Sequence, residues 1–185
     1  FYGVYLTLVG QIAKALEEFE RARKLDPFEP HFMFEVARTS FFLREYDQAI
    51  EQLETTLEMD PARVIDHWYL FRAYWQKGSY DEAWAALLKS PNLGPMERTD
   101  VELGNEAGIL AVARKLDERT DTRYFPKAFV ALFYNLAGEK DRALQLLEKA
   151  VEDRDPSLVY LKVFPEWDSL RDEPRFQELV RRVNF

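Results

Sequence analysis

Residues 12–27, IAKALEEFERARKLDP, and residues 46–61, YDQAIEQLETTLEMDP, write one pattern twice, 34 positions apart. Ala15 recurs as Ala49 and Ala83, Phe19 as Leu53 and Leu87, while Arg38, Tyr46 and Asp47 return as Arg72, Tyr80 and Asp81. Apolar residues at steps of three and four within each copy read as an amphipathic helix, and Asp-Pro closes both copies because proline cannot continue one. A period of this length holds two helices. Such a hairpin cannot bury its apolar face alone, so successive copies must stack into an all-α solenoid.

The same pattern places further hairpins on both sides. In the first, a short helix ends near Val9, turns at Gly10 and is followed by a helix over about 13–25. The second spans about 31–43 and 47–59 with a turn at Arg44-Glu45, and the third starts at Val64, turns at Gly78 and restarts under Ser79, which forms a capping box with Glu82. Asp47, Asp81 and Asp141 fall in first turns, where a carboxylate faces the positive end of the helix dipole. The rhythm breaks at Pro91-Asn92-Leu93-Gly94-Pro95. From Gly78 to the equivalent Gly138 is 60 residues, eight short of two periods, so a shortened, degenerate unit is expected over about 99–119, with Thr99 and Glu102 as a capping box and Gly104 as a break. A last regular hairpin covers about 125–151.

The expected units are therefore about 1–29, 30–63, 64–95, 96–122 and 123–157, followed by a capping segment over 158–185. Pro165 and Pro174 each start a short helix there, and Trp167, Leu170, Phe176, Leu179 and Val180 offer apolar cover for the open end of the stack. The opening residues read as entering in mid-helix, so the sequence is expected to be part of a longer protein.

Composition narrows the function. The chain has 185 residues, 47% of them hydrophobic, enough for a sizeable core. A formal charge of -8 opposes attraction to phosphate backbones or anionic lipid, so neither nucleic acid nor membrane is an expected partner. Without cysteine there is no disulfide, thiolate metal site or thiol nucleophile, and cytoplasmic placement is the default expectation. His31 and His67 fall in different units with no metal-ligand spacing, and the seven glycines are too scattered for a phosphate loop. No cofactor is expected. Glu17, Glu18 and Glu20, like Glu51, Glu54 and Glu58, sit at solvating positions on outer helix faces, so no catalytic residue is assigned.

With Ala15, Ala49, Ala83 and Ala143, and with Gly3, Ala37 and Ala131, at the places where paired helices touch, the chain resembles the tetratricopeptide repeat family. It departs from that pattern at Thr56, at Arg44 and in the shortened unit. The C-terminal stretch, with LAGEKD at 136–141 and LRDEPRF at 170–176, resembles repeat regions appended to bacterial winged-helix regulators, nucleotide cyclases and serine/threonine kinases. The resemblance implies a right-handed superhelix of hairpins acting as a non-enzymatic, sensory or recruitment arm whose concave face binds a protein segment.

Carrying the family's groove positions over gives His31, Phe34, Arg38, Phe41 and Phe42 in the second unit, Ile65, Trp68, Arg72, Trp75 and Gln76 in the third, and Ala128, Leu132 and Asn135 in the last. Phe34, Arg38, Phe41, Phe42, Trp68, Arg72 and Trp75 are the expected partner-binding set, because arginine and large aromatics are enriched at binding hot spots. Two arginines beside aromatic rings suit a peptide with an acidic group and an apolar anchor. On that reading, Arg38→Glu and Arg72→Glu should abolish capture and leave helicity intact. The opposing reading is that the rings fill gaps between hairpins while the arginines pair with carboxylates. The Lys and Asn with which some relatives clamp a C-terminal carboxylate are missing here. Two alternatives to peptide binding are self-association through these aromatics or through Tyr2, Tyr5 and Leu8, and a small-molecule pocket inside the coil, walled by Trp68, Tyr69, Trp75 and residues of the degenerate unit.

Overall fold

A computed structural model describes residues 1–90, 106–118 and 126–183, and every regular element among them is helical. The chain divides into two compact units, Phe1–Met96 and Glu97–Phe185, parted beside the Pro91–Pro95 break that the repeat pattern marks.

The first unit holds α1 (Tyr2–Leu8), α2 (Ile12–Leu25), α3 (Pro30–Phe42), α4 (Tyr46–Met59), α5 (Val64–Lys77) and α6 (Tyr80–Leu87). Each packs on the next in chain order, and α3 also touches α5. That is the nearest-neighbour stacking of an α-solenoid. Small residues set the approach within each hairpin: Ala15, Ala37, Ala49, Ala73 and Ala83 are fully buried. At Gly3 a methyl group would lie 2.7 Å from the ring of Phe19, closer than carbon atoms approach.

All three turns inside these hairpins share one geometry. Gly10, Arg44 and Gly78 take positive φ of 80°, 67° and 76°. In each, the amide of the turn residue bonds back three residues and the next amide bonds back five, as Glu45 does to the Ser40 carbonyl. This is a Schellman closure, which favours glycine because a side chain is strained at positive φ. Arg44 holds it without glycine, and its guanidinium donates to the Phe42 carbonyl at 2.6 Å. Ser79 occupies the N-cap of α6 as expected, but its hydroxyl makes no capping bond, so the capping box read from Ser79 and Glu82 does not form.

The second unit holds α7 (Glu106–Asp117), α8 (Lys127–Leu136), α9 (Lys140–Glu152) and α10 (Pro174–Arg182). Helix α7 lies in the stretch where a shortened unit is expected, packs on α8, and is tied to the last hairpin by Arg142, which donates to Asp117 at 2.6 Å. Gly138 repeats the Schellman turn at φ 78°. The proposed capping box of Thr99 and Glu102, and the break at Gly104, lie outside the described residues.

The tail caps this unit much as its apolar spacing implies. Pro165 and Pro174 open a 3-10 turn (Pro165–Leu170) and α10, and a further 3-10 turn, Pro156–Tyr160, was not foreseen. Trp167, Leu170, Phe176 and Leu179 are buried, while Val180 is only partly so. Helix α10 lies on α9, with Arg175 donating to Glu148 at 2.9 Å and to Asp141 at 3.3 Å.

Candidate functional site

Helix α3 reads PHFMFEVARTSFF and α5 reads VIDHWYLFRAYWQK; both carry apolar residues on several faces, with Glu35, Arg38 and Arg72 buried among them. From Phe34 to Phe42 every residue of α3 is buried, and from Trp68 to Ala73 every residue of α5. The first helix of a hairpin was expected to show one side to a partner; these two show almost none of their middle turns.

The seven predicted binding residues are consequently interior. Phe41 and Phe42 are 0% and 1% exposed, Arg72 is 1%, and Phe34, Arg38, Trp68 and Trp75 lie between 6% and 8%. They come together, but around one another. The Arg72 guanidinium stands 4.6 Å from the centre of the Phe41 ring, 5.0 Å from Tyr69 and 5.6 Å from Trp68, and so joins α3 to α5 by cation–π contacts. Arg38 pairs with Glu35 one turn earlier and faces the rings of Phe34 and Phe42 at 5.9 and 5.8 Å. Trp75 meets Tyr80 and Trp84 edge-on, at 4.8 and 6.3 Å.

In this arrangement the rings fill the space between hairpins, and Arg38 pairs with Glu35. The physical cause is the density of aromatics on α3 and α5, whose rings lose more by facing water than by stacking on the neighbouring hairpin. The small-molecule pocket meets the same obstacle, because Arg72 occupies the space beside Trp68 and Tyr69. Tyr69 is the hub of the cluster, with ring centres 5.3, 5.8 and 6.4 Å from Phe34, Phe41 and Phe42. The carried-over groove positions that do reach solvent are at the helix starts and ends: His31 and Ile65 are exposed and Gln76 partly so.

In the second unit the carried-over positions Ala128, Leu132 and Asn135 are buried as well. Asn135 is engaged by the cap. Its amide donates to the Glu166 carbonyl at 2.6 Å and accepts from the Ser169 hydroxyl at 3.1 Å. Asp155 secures the same region, accepting from the amides of Ala128 at 3.0 Å and Ser157 at 2.8 Å, and so caps α8 from beyond the end of α9. The sequence carried a signal for this in Asp155-Pro156, a cap residue followed by proline at the first helical position.

A buried acid that motif reading passed over completes the first unit's cluster. Asp66, in the first turn of α5, is fully buried; Arg63 donates to its Oδ2 at 3.4 Å and lies over the Phe34 ring at 5.2 Å, while Oδ1 accepts no hydrogen bond. Burial pushes its pKa from 3.8 up to about 6, against the opposing pull of Arg63. The spacing of Arg63 and Asp66, three apart beside an apolar helix, was the available signal.

This acid sets a pH dependence with a definite sign. Well below pH 3.8 Asp66 is protonated folded or unfolded. As pH rises toward about 6 the unfolded chain releases the proton while the folded chain keeps it, so stability falls across that window and stays lower above it. The cost is on the order of 3 kcal/mol at pH 7. Asp66→Asn should leave stability near pH 3 unchanged and raise it by roughly 2 to 3 kcal/mol at pH 7.5, read as the difference in urea midpoints between variant and wild type at the two pH values. An equal difference at both would mean the carboxyl is not desolvated.

In the first unit a cavity of about 470 Å³ lies between α4, α5 and α6, lined among others by Glu54, His67, Leu70, Tyr74 and Glu82. Tyr74 donates to Glu54 at 2.7 Å, and burial, with that carboxylate beside it, pushes the phenol up to about 12. Burial lowers the pKa of His67. Among the described residues no group of three or more His, Asp or Glu side chains is placed to hold a metal ion.

Stacked hairpins with small residues at each helix contact define a helical-repeat fold. Residues 37–95, from the middle of α3 past the end of α6, match the family described as Tetratricopeptide repeat, and this stretch carries tetratricopeptide repeats. Among solved structures, one titled "Crystal structure of MamA" is similar: 15% identical, covering 98% of this chain and 92% of that one, with a TM-score of 0.45. No curated protein matches. Repeats of this family build protein-interaction scaffolds, and no helix among the described residues is long and apolar enough to cross a membrane.

Proposed function

We propose that the chain is a non-enzymatic scaffold that holds a peptide or protein segment along the inner helices of its hairpins. In this reading it is the sensory or recruitment arm of a larger bacterial signalling protein of the cytoplasm. The observation that carries the reading is the tetratricopeptide match at 37–95 on hairpins that stack in order. The segment meets the exposed first turns of α3 and α5, where His31, Val64 and Ile65 face solvent. Phe34, Arg38, Phe41, Phe42, Trp68, Arg72 and Trp75 act behind that surface: their stacking fixes α3 on α5 and α5 on α6, so the contact forms with little ordering cost.

A displayed peptide library selected against the full chain tests this. Enriched peptides should bind in the micromolar range and lose about tenfold or more in affinity to Ile65→Glu, which changes an exposed side chain and should leave the melting curve as it is. A selection that enriches nothing, or peptides indifferent to Ile65→Glu, would overturn the placement.

A further inference from the structure

Tyr74 and Tyr134 stand 60 positions apart and at the same place in their hairpins, each four residues before its turn glycine, Gly78 or Gly138. Both phenols donate to a carboxylate of the preceding helix, Tyr74 to Glu54 at 2.7 Å and Tyr134 to Asp117 at 3.3 Å. In the second unit a third group completes the arrangement. Arg142, on α9, donates to the same Asp117 oxygen at 2.6 Å and lies over the Tyr134 ring, 5.8 Å from its centre. The guanidinium is held twice, by the carboxylate at its edge and by the ring at its face.

Sixty residues before Arg142 stands Glu82, on α6. The first unit therefore repeats the phenol and its carboxylate but sets a second acid where the second unit sets the cation. After burial and Glu54, Glu82 is the next group that raises the Tyr74 pKa, so both carboxylates flank the phenol. The ion pairs described in this unit engage Glu18, Glu20, Glu35, Asp47 and Asp66; neither Glu54 nor Glu82 is among them. The space beside them is open, because Tyr74, Glu54 and Glu82 line the cavity of about 470 Å³ between α4, α5 and α6, with Leu57 and Leu70 also in its wall. Among the described residues that wall sets three carboxylates, Glu58 being the third, against the ammonium of Lys89. Burial, aided by Lys89, lowers the pKa of His67 and so favours its neutral form.

We infer that this cavity receives an arginine side chain of a partner protein, its guanidinium set between Glu54 and Glu82 at the Tyr74 ring, as Arg142 is set on Asp117 and Tyr134 within the second unit. The aliphatic stem of the arginine lies along Leu57 and Leu70. Arginine is favoured over lysine because its planar fork bonds two carboxylates while its face covers a ring, and because it is the less strongly hydrated cation. The cavity shares no residue with the helix starts at His31, Val64 and Ile65.

The probe is the peptide acetyl-Ala-Ala-Arg-Ala-Ala-amide, titrated into the full nitrogen-15-labelled chain and followed by backbone amide chemical shifts. Shifts in residues 54–58, 67–74 and 82–86 should saturate with a Kd of about 1 mM or tighter. The same peptide with lysine in place of arginine should bind about fivefold or more weakly. Glu82→Arg writes the second unit's arrangement into the first, so it should fill the cavity from within, abolish the saturating shifts and melt no lower than wild type. Ile65→Glu should leave the Kd unchanged, which separates this cavity from the helix starts. Shifts that do not saturate, or binding that survives Glu82→Arg, would overturn the inference. So would a lysine peptide that binds as tightly as the arginine one, because the cavity would then be a patch of acids that draws any cation. A Glu82→Arg chain that melts below wild type would overturn it too, since the place would not accept a guanidinium.

Discussion

Arg72→Glu is expected to destabilise the first unit severely. The guanidinium is 1% exposed and lies against the faces of Phe41, Tyr69 and Trp68, whose π-electron clouds attract a cation and repel an anion. A carboxylate in that place would be desolvated and would face three negative ring surfaces, a loss of roughly 3 to 5 kcal/mol for an uncompensated buried charge. Set against a total stability of about 5 to 15 kcal/mol, that is enough to lower the melting midpoint by about 10 °C or more. The contrast with Arg72→Met is diagnostic: similar bulk without the charge should cost only about 1 to 2 kcal/mol, the cation–π share. Thermal melts by far-UV circular dichroism read both. If the glutamate variant melts with the wild type, the side chain lies outside the ring cage and the groove reading of Arg72 regains its force. The expectation drawn from sequence, that charge reversal at Arg38 and Arg72 would remove binding and spare helicity, is thereby replaced by one in which stability is the first casualty.

Trp167→Ala should have a comparable effect in the second unit. Trp167 is 2% exposed, its ring centre 6.2 Å from that of Phe176, and its neighbour Leu170 is fully buried. Truncation leaves a cavity beneath the 3-10 turn that Asn135 holds, at a loss of about 3 to 5 kcal/mol. Because the turn is fastened to α8 through the Glu166 carbonyl and the Ser169 hydroxyl, its loosening should expose α8 as well. Hydrogen exchange is the measurement. Amides of residues 127–136 should lose protection together with those of residues 165–182, whereas retained protection in α8 would mean that the cap contributes little to holding that helix.

The elements were legible because their signals are local. Three- and four-residue apolar steps, Asp-Pro after Leu25 and Met59, and glycine at 10, 78 and 138 act within a turn or two of chain, and the helices lie within a few residues of where those signals put them. Arg44 shows how far the period reaches: with no glycine to mark it, the hairpin offset alone placed a turn there, and the backbone takes φ 67°. The small-residue positions were equally plain, since only alanine or glycine permits the helix approach seen at Ala49 and at Gly3 against Phe19.

The candidate site was not legible, and its residues show why. A phenylalanine or arginine at a groove position carries the same letters whether it faces water or a neighbouring hairpin. Its environment is set by residues such as Tyr69, 35 positions from Phe34, or by Glu166, whose backbone carbonyl takes the Asn135 amide from 31 positions away. The period of the chain fixed the kind of fold, the order of helices and the turns between them, because backbone conformation answers to near neighbours. Burial of Arg72 and the raised pKa of Asp66 were decided only when the hairpins came together, because desolvation depends on which surfaces meet in space.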